Sequence, residues 1–135
     1  MDNKKELKGK MMNSKTWAVV GVTKKKERYG YKIWKVLKEH DYTVYGVSPN
    51  YDVLEGDKLY KKVSDIPDKV DVVDMVVSPK IGIDLLEGIK EAGVRYVFFQ
   101  PGTHDEKIIK KAEELDLEYL IDCVYATLKN EKYEV

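Results

Sequence analysis

The sequence predicts an α/β fold, a doubly wound parallel sheet in three layers that forms a single domain. Two observations carry the prediction. Short apolar runs alternate with segments of helical spacing along the chain, as right-handed βαβ units require. The conformationally special residues Gly21, Pro49, Pro79, Pro101 and Gly102 come directly after those runs. Polar turns therefore gather at the carboxyl edge of the sheet. In open α/β sheets a ligand sits at that edge, where the first strand meets its two neighbours.

Residues 1–15 hold five lysines and few apolar positions. They read as a basic N-terminal extension that frays or forms a short helix around Leu7 to Met12, ahead of a domain spanning 16–135. Trp17 to Val20 is a continuous apolar run ended by Gly21, the pattern of a strand buried on both faces. Ile33, Val36 and Leu37 fall at helical spacing and predict a helix from about Gly30 to His40. Thr43 to Val47 is the second strand, stopped by Ser48-Pro49-Asn50. Residues 51–70 read as irregular, with a short strand near Leu59 and a half-turn at Ser64–Ile66. Val72 to Val77 is the next strand, and Ser78-Pro79 supplies an N-cap and a first-turn proline. Ile83, Leu86 and Ile89 line the helix that follows, which Gly93 closes. Tyr96 to Phe99 is a strand, Thr103 and Glu106 have capping-box spacing, and Ile108, Ile109, Ala112 and Leu115 line the helix they open. Tyr119 to Ile121 is the last strand, and Ala126 to Lys132 is expected to form a terminal helix.

Composition narrows the function. The 24 basic and 24 acidic residues cancel, which argues against a general nucleic-acid or membrane-surface binder, since those carry a basic excess. An anion site must be local. Arg28 and Arg95 are the only arginines, and Arg28 lies inside the polar loop after the first strand, where its planar fork suits phosphate. The single cysteine, Cys123, rules out an internal disulfide. Following a buried strand, it reads as a small core residue. No apolar run approaches the ~18 residues of a membrane span, and a cytoplasmic protein is expected.

The edge loops discriminate among ligands. A dinucleotide site wants Gly-x-Gly-x-x-Gly at the first turn and an acid after the second strand. Here Gly21 is followed by Val22-Thr23, the next glycine is Gly30, and the second strand ends in Ser48-Pro49-Asn50. Ordinary NAD binding is disfavoured. A P-loop sequence and the acidic cluster of a phosphoacceptor domain are both missing. What remains is a phosphate-friendly set: the Thr23 hydroxyl, the loop lysines from Lys24 to Lys26, Arg28, and the N–H groups near Gly30. Coenzyme A, with its pyrophosphate and ribose phosphate, suits that set, and a 2′-phosphorylated dinucleotide suits it almost as well.

The chain resembles the stand-alone CoA-binding proteins of bacteria and archaea and, in turn, the N-terminal CoA-binding domain of the succinyl-CoA synthetase alpha subunit. The resemblance rests on Ala18-Val19-Val20-Gly21-Val22-Thr23 with Glu27-Arg28, and on the run from Tyr42 to Tyr51. Further along it includes Leu54 to Tyr60, Ser64-Asp65-Ile66-Pro67, Val70 to Asp74, Pro79, Gln100-Pro101-Gly102 and Asp122-Cys123. It covers about Lys15 to Lys129. It implies a Rossmann-like sheet with coenzyme A as the ligand. Gly21, Val22, Thr23 and Arg28 would hold the pyrophosphate, with Lys24, Gly30 and Tyr31 beside them in the loop and the following helix. Ser48, Pro49 and Asn50 would flank the adenosine part. Val77, Ser78, Pro79 and Lys80 would border the ligand from the other side, with Gln100 and Gly102 near the pantetheine path. The chain departs from the family in having Ser48-Pro49 for the usual Asn-Pro, Val77-Ser78 where basic residues are common, and Asp122 running directly into Cys123.

No nucleophile–base pair stands out. Asp71 and Asp74, three apart on a strand, face opposite sides, and His104 sits in the opening turn of a helix. The expected role is non-catalytic binding of CoA or acyl-CoA, with no catalytic or metal residues. The alternatives are an NADP-binding reductase and a detached CoA-ligase subunit. A homodimer and a partner acyl-CoA enzyme both stay open.

Overall fold

The computed structural model describes residues 3–129. Its elements, in chain order, are α1 (Asn3–Asn13), β1 (Thr16–Val20), α2 (Tyr29–Glu39), β2 (Thr43–Val47), β3 (Val53–Leu54) and β4 (Asp57–Tyr60). They continue with β5 (Val72–Met75), α3 (Pro79–Gly82), α4 (Leu86–Glu91), β6 (Tyr96–Phe99), α5 (Glu106–Glu114), β7 (Glu118–Ile121) and α6 (Val124–Lys129). The strands form one sheet in the order β3-β4-β2-β1-β5-β6-β7. All neighbours are parallel except the β3–β4 pair. The fold is Rossmann-like, with helices on both faces of the sheet. Strand order reverses at β1, so the carboxyl ends of β2, β1 and β5 diverge around a crevice.

Side chains alternate between two cores, as the period of a strand requires. Trp17 and Val19 of β1 pack with Ile33, Trp34 and Leu37 of α2, with Met11 and Met12 of α1, and with Val124 of α6. Ala18 and Val20 face the other way, toward Leu86 and Ile89 of α4 and Ile108 of α5. Trp17 and Phe98 are fully buried in the first core, their rings 5.9 Å apart. Burial of each such side chain contributes roughly 1.5–3 kcal/mol.

The structure differs from the expectations in several places. The first fifteen residues carry an ordered helix, α1, whose Met11 and Met12 are fully buried. Lys8 of that helix pairs with Asp122 at 2.7 Å. Strand β5 ends at Met75, so Val76 and Val77 are loop. Val20, the last residue of β1, accepts the Val76 N–H, and Gly21 then turns aside. The helix after Pro79 is divided by a 3-10 turn at Ile83–Leu85, and Ser78 opens it without a side-chain cap. The cap of α5 is Asp105, whose Oδ1 accepts the Ile108 N–H at 2.9 Å. Thr103 instead donates to the Gln100 carbonyl. Residues 53–60, expected to hold only a short strand near Leu59, form a hairpin. Helix α6 begins at Val124, and residues 130–132 of the expected terminal helix lie outside the described residues.

Candidate functional site

The loop after β1 starts from a close approach of two glycines. Gly21 has φ 107, and a Cβ there would lie 2.9 Å from Val77 Cγ1. Gly30, in the first turn of α2, has a Cβ position only 2.1 Å from the Gly21 carbonyl oxygen. Helix α2 can therefore press its N-terminus against the end of β1 only with glycine at both places. The Gly21 N–H donates to the Val47 carbonyl at 3.0 Å, tying the loop to the end of β2.

The start of α2 is open to an anion. Arg28 occupies the N-cap position and makes no side-chain cap. The amides of Tyr31 and Lys32 both turn back on the Arg28 carbonyl. Among the described residues, those of Tyr29 and Gly30 find no acceptor, which leaves two donors at the positive end of the helix dipole, and both residues line a cavity. The Arg28 guanidinium is exposed beside them and, among the described residues, forms no ion pair. Thr23 Oγ1 accepts the Lys25 N–H at 3.2 Å and so shapes the loop.

These groups border a cavity of about 990 Å³ at the carboxyl edge, at the upper end of the size usual for ligand sites. The loop after β2 forms a second wall. There Ser48 is buried and its Oγ accepts the Asn50 N–H at 3.1 Å. The loop after β5 supplies Val77 and Ser78, and the turn after β6 supplies Gln100 and Gly102. Gln100 is 4% exposed, and its Nε2 donates to the fully buried Asp74 at 2.7 Å. Burial pushes the Asp74 carboxyl up to about 8, against the opposing effect of the Gln100 bond. An apolar wall comes from Ile81 and Leu85, both exposed.

Twelve of the sixteen residues singled out from the sequence border this cavity: Gly21, Val22, Thr23, Arg28 and Gly30, Ser48, Pro49 and Asn50, Val77 and Ser78, and Gln100 and Gly102. Four lie outside it. Lys24 places its Nζ 5.5 Å from the centre of the Tyr51 ring. The Tyr31 hydroxyl donates to Glu55, which also takes a bond from Lys35 at 2.9 Å. Those two bonds hold the Glu55 carboxyl below its usual range, and Tyr31, committed to Glu55, is not part of the cavity lining. Pro79 and Lys80 begin α3 without reaching the lining.

Other lining residues escaped the sequence reading. Lys61 and Lys62 follow β4, an element read as part of an irregular segment. Tyr29 and Cys123, the latter expected to be a small core residue, both reach the lining. Asp84 also reaches the wall, exposed on the 3-10 turn between α3 and α4. It stands on a helix, away from the ends of β1 and β2 where an acid would select ribose hydroxyls. Among the described residues, no cluster of three or more histidine, cysteine or acidic side chains is placed to hold a metal.

The profile of a family described as the CoA binding domain matches residues 15–129. The alpha subunit of acetate–CoA ligase (ADP-forming) I from Pyrococcus furiosus is 31% identical over 121 residues, an alignment covering 81% of this chain and 26% of that one. An acetate–CoA ligase (ADP-forming) of Methanocaldococcus jannaschii is 35% identical over 81 residues, 60% of this chain and 12% of that one. The chain thus spans about a quarter or less of these relatives. A hypothetical protein from Pyrococcus horikoshii superposes with a TM-score of 0.85 at 35% identity, covering 91% of this chain and 87% of that one. An acetyl-coenzyme A synthetase of Candidatus Korarchaeum cryptofilum, solved with phosphate and ADP, gives a TM-score of 0.72 at 25% identity, with 82% of this chain and 26% of that one covered.

Proposed function

The chain belongs to the CoA binding domain family, and on that premise we propose that it binds coenzyme A, or an acyl-CoA, without catalysing a reaction of its own. The observation that carries the reading is the opening of α2. Two amides and a guanidinium that have no partner among the described residues, with the positive end of a helix dipole, border one side of a cavity of ligand size. A pyrophosphate has the charge and acceptors to use all three. Nothing bulkier than glycine fits at Gly21 or Gly30, which keeps the backbone near whatever occupies that corner. Ser48 and Asn50 would flank the adenosine part, Ser78 the opposite border, and Gln100 and Gly102 the pantetheine arm.

Titration calorimetry with CoA, 3′-dephospho-CoA, NAD and NADP tests the reading. CoA is expected to bind, dephospho-CoA to bind more weakly, and NAD to give no heat. Silence with CoA beside tight binding of NADP would overturn it. A second reading, a CoA-ligase subunit that works with a partner chain, is favoured by the alignment to the alpha subunit named above. It predicts a second, larger chain that co-purifies from the native source and confers ligase activity.

A further inference from the structure

Asp74 lies in the middle of the sheet, and no charged group among the described residues acts on it. It is fully buried, and its register partners are Val19 on β1 and Phe98 on β6. Two residues beyond Phe98, on the same face, Gln100 stands in the cavity wall. Its Nε2 donates to Asp74 Oδ1 at 2.7 Å. Its backbone is committed as well: the N–H donates to the Met75 carbonyl at 3.3 Å, and its carbonyl accepts the Thr103 N–H at 3.0 Å and the Thr103 hydroxyl at 2.7 Å.

Two buried oxygens are left over, Asp74 Oδ2 and Gln100 Oε1, each without a partner among the described residues. With Asp74 ionised, both would be bare acceptors in an apolar layer, which is the costly arrangement for buried polar atoms. A single proton on Oδ2 removes the conflict, because it makes that atom a donor for the unfilled acceptor of the same pair. On the edges that face each other, a carboxylic acid and a carboxamide each present one donor beside one acceptor, so they pair at two points.

We propose that Asp74 is carried as the neutral acid and grips the Gln100 carboxamide at two points, a positioning pair that fixes the Gln100–Thr103 wall of the cavity. Where that wall meets a ligand, the proposal rests on the cavity being the CoA site; the pair itself does not. The helices covering this face carry ionisable groups, Lys8 with its partner Asp122 at α1 and Arg28, Lys32 and Lys35 at α2, but among the described residues none of them acts on the Asp74 carboxyl through its charge. Burial and the Gln100 bond are what act on Asp74. The carboxyl, raised to about 8 in the folded chain, would titrate near 4 when unfolded. Between those values the folded state keeps a proton that the unfolded state has lost, so stability falls as pH rises and levels off above about 8.

The test compares the wild type with Asp74→Asn, whose amide can make both bonds and cannot titrate. Carbon-detected NMR of the wild type should show the Asp74 carboxyl unchanged through the ordinary carboxylate range and titrating near pH 8. Urea unfolding from pH 4 to 9 should show the wild type losing stability relative to Asp74→Asn up to about pH 8 and no further. CoA affinity of the wild type should weaken several-fold more than that of Asp74→Asn between pH 7 and 9. A carboxyl midpoint near 4, or parallel stability profiles for the two proteins, overturns the pair. A midpoint near 8 with no CoA binding by either protein at any pH upholds the pair and removes the CoA reading of the cavity.

Discussion

At the scale of single residues, the site depends on what glycine leaves out and what arginine supplies. A methyl group at Gly30 would sit 2.1 Å from a backbone oxygen, closer than any rotamer change could relieve. Gly30→Ala should therefore force α2 off the end of β1, costing about 1–3 kcal/mol or more; urea unfolding reads the loss directly. Arg28 has no structural partner to lose among the described residues, so Arg28→Ala should fold normally. If the guanidinium meets a phosphate, the variant should bind CoA roughly ten- to a hundredfold more weakly, the worth of one charge-assisted hydrogen bond. Calorimetry on the two proteins checks this, and equal affinities would place the phosphates elsewhere. Asp74 was the residue the sequence disguised. Three layers leave the acid inside Val72-Val73-Asp74-Met75 buried, but its partner Gln100 stands 26 residues away, past the end of another strand, where no sequence spacing points to it.

At the scale of elements, strong apolar periodicity made β1, α2, β2, β6 and α5 legible, and each lies close to its expected place. The β3–β4 hairpin was not, for a local reason. Leu54 pairs with Asp57, so Glu55 and Gly56 form the two-residue turn, both at positive φ. Glu-Gly is a weaker sign of that turn than Asn-Gly or Asp-Gly. The hairpin also places Lys61 at the cavity, which explains why that wall went unread. Helix α1 escaped a firm reading because its apolar positions are few among lysines, yet Met11 and Met12 are both fully buried against the sheet. Met11→Ala and Met12→Ala should each destabilise the protein by about 2–5 kcal/mol, measured by chemical denaturation. A loss below about 0.5 kcal/mol, usual for surface positions, would contradict the docking of this helix.

At the scale of the whole molecule, topology makes the site. Strand order reverses at β1, so the loops after β1, β2 and β5 open away from one another, and the turn after β6 completes the rim. Residues far apart in sequence, Arg28, Asn50, Ser78 and Gln100, meet there because each follows a parallel strand. That much was readable from the placement of Gly21, Pro49, Pro79 and Gly102. The depth of the cavity was not, because it depends on the 3-10 turn that divides the helix after Pro79 and brings Leu85 to the lining, and on the end of β5 two residues earlier than its apolar run suggested. The most direct test of the central claim is a titration of the ¹⁵N-labelled protein with CoA, followed amide by amide. Saturable shifts centred on Gly21, Thr23, Tyr29, Gly30, Asn50, Ser78 and Gly102, with the far end of the sheet unmoved, are the expected result. Shifts confined to any other surface, or none at millimolar CoA, would contradict it.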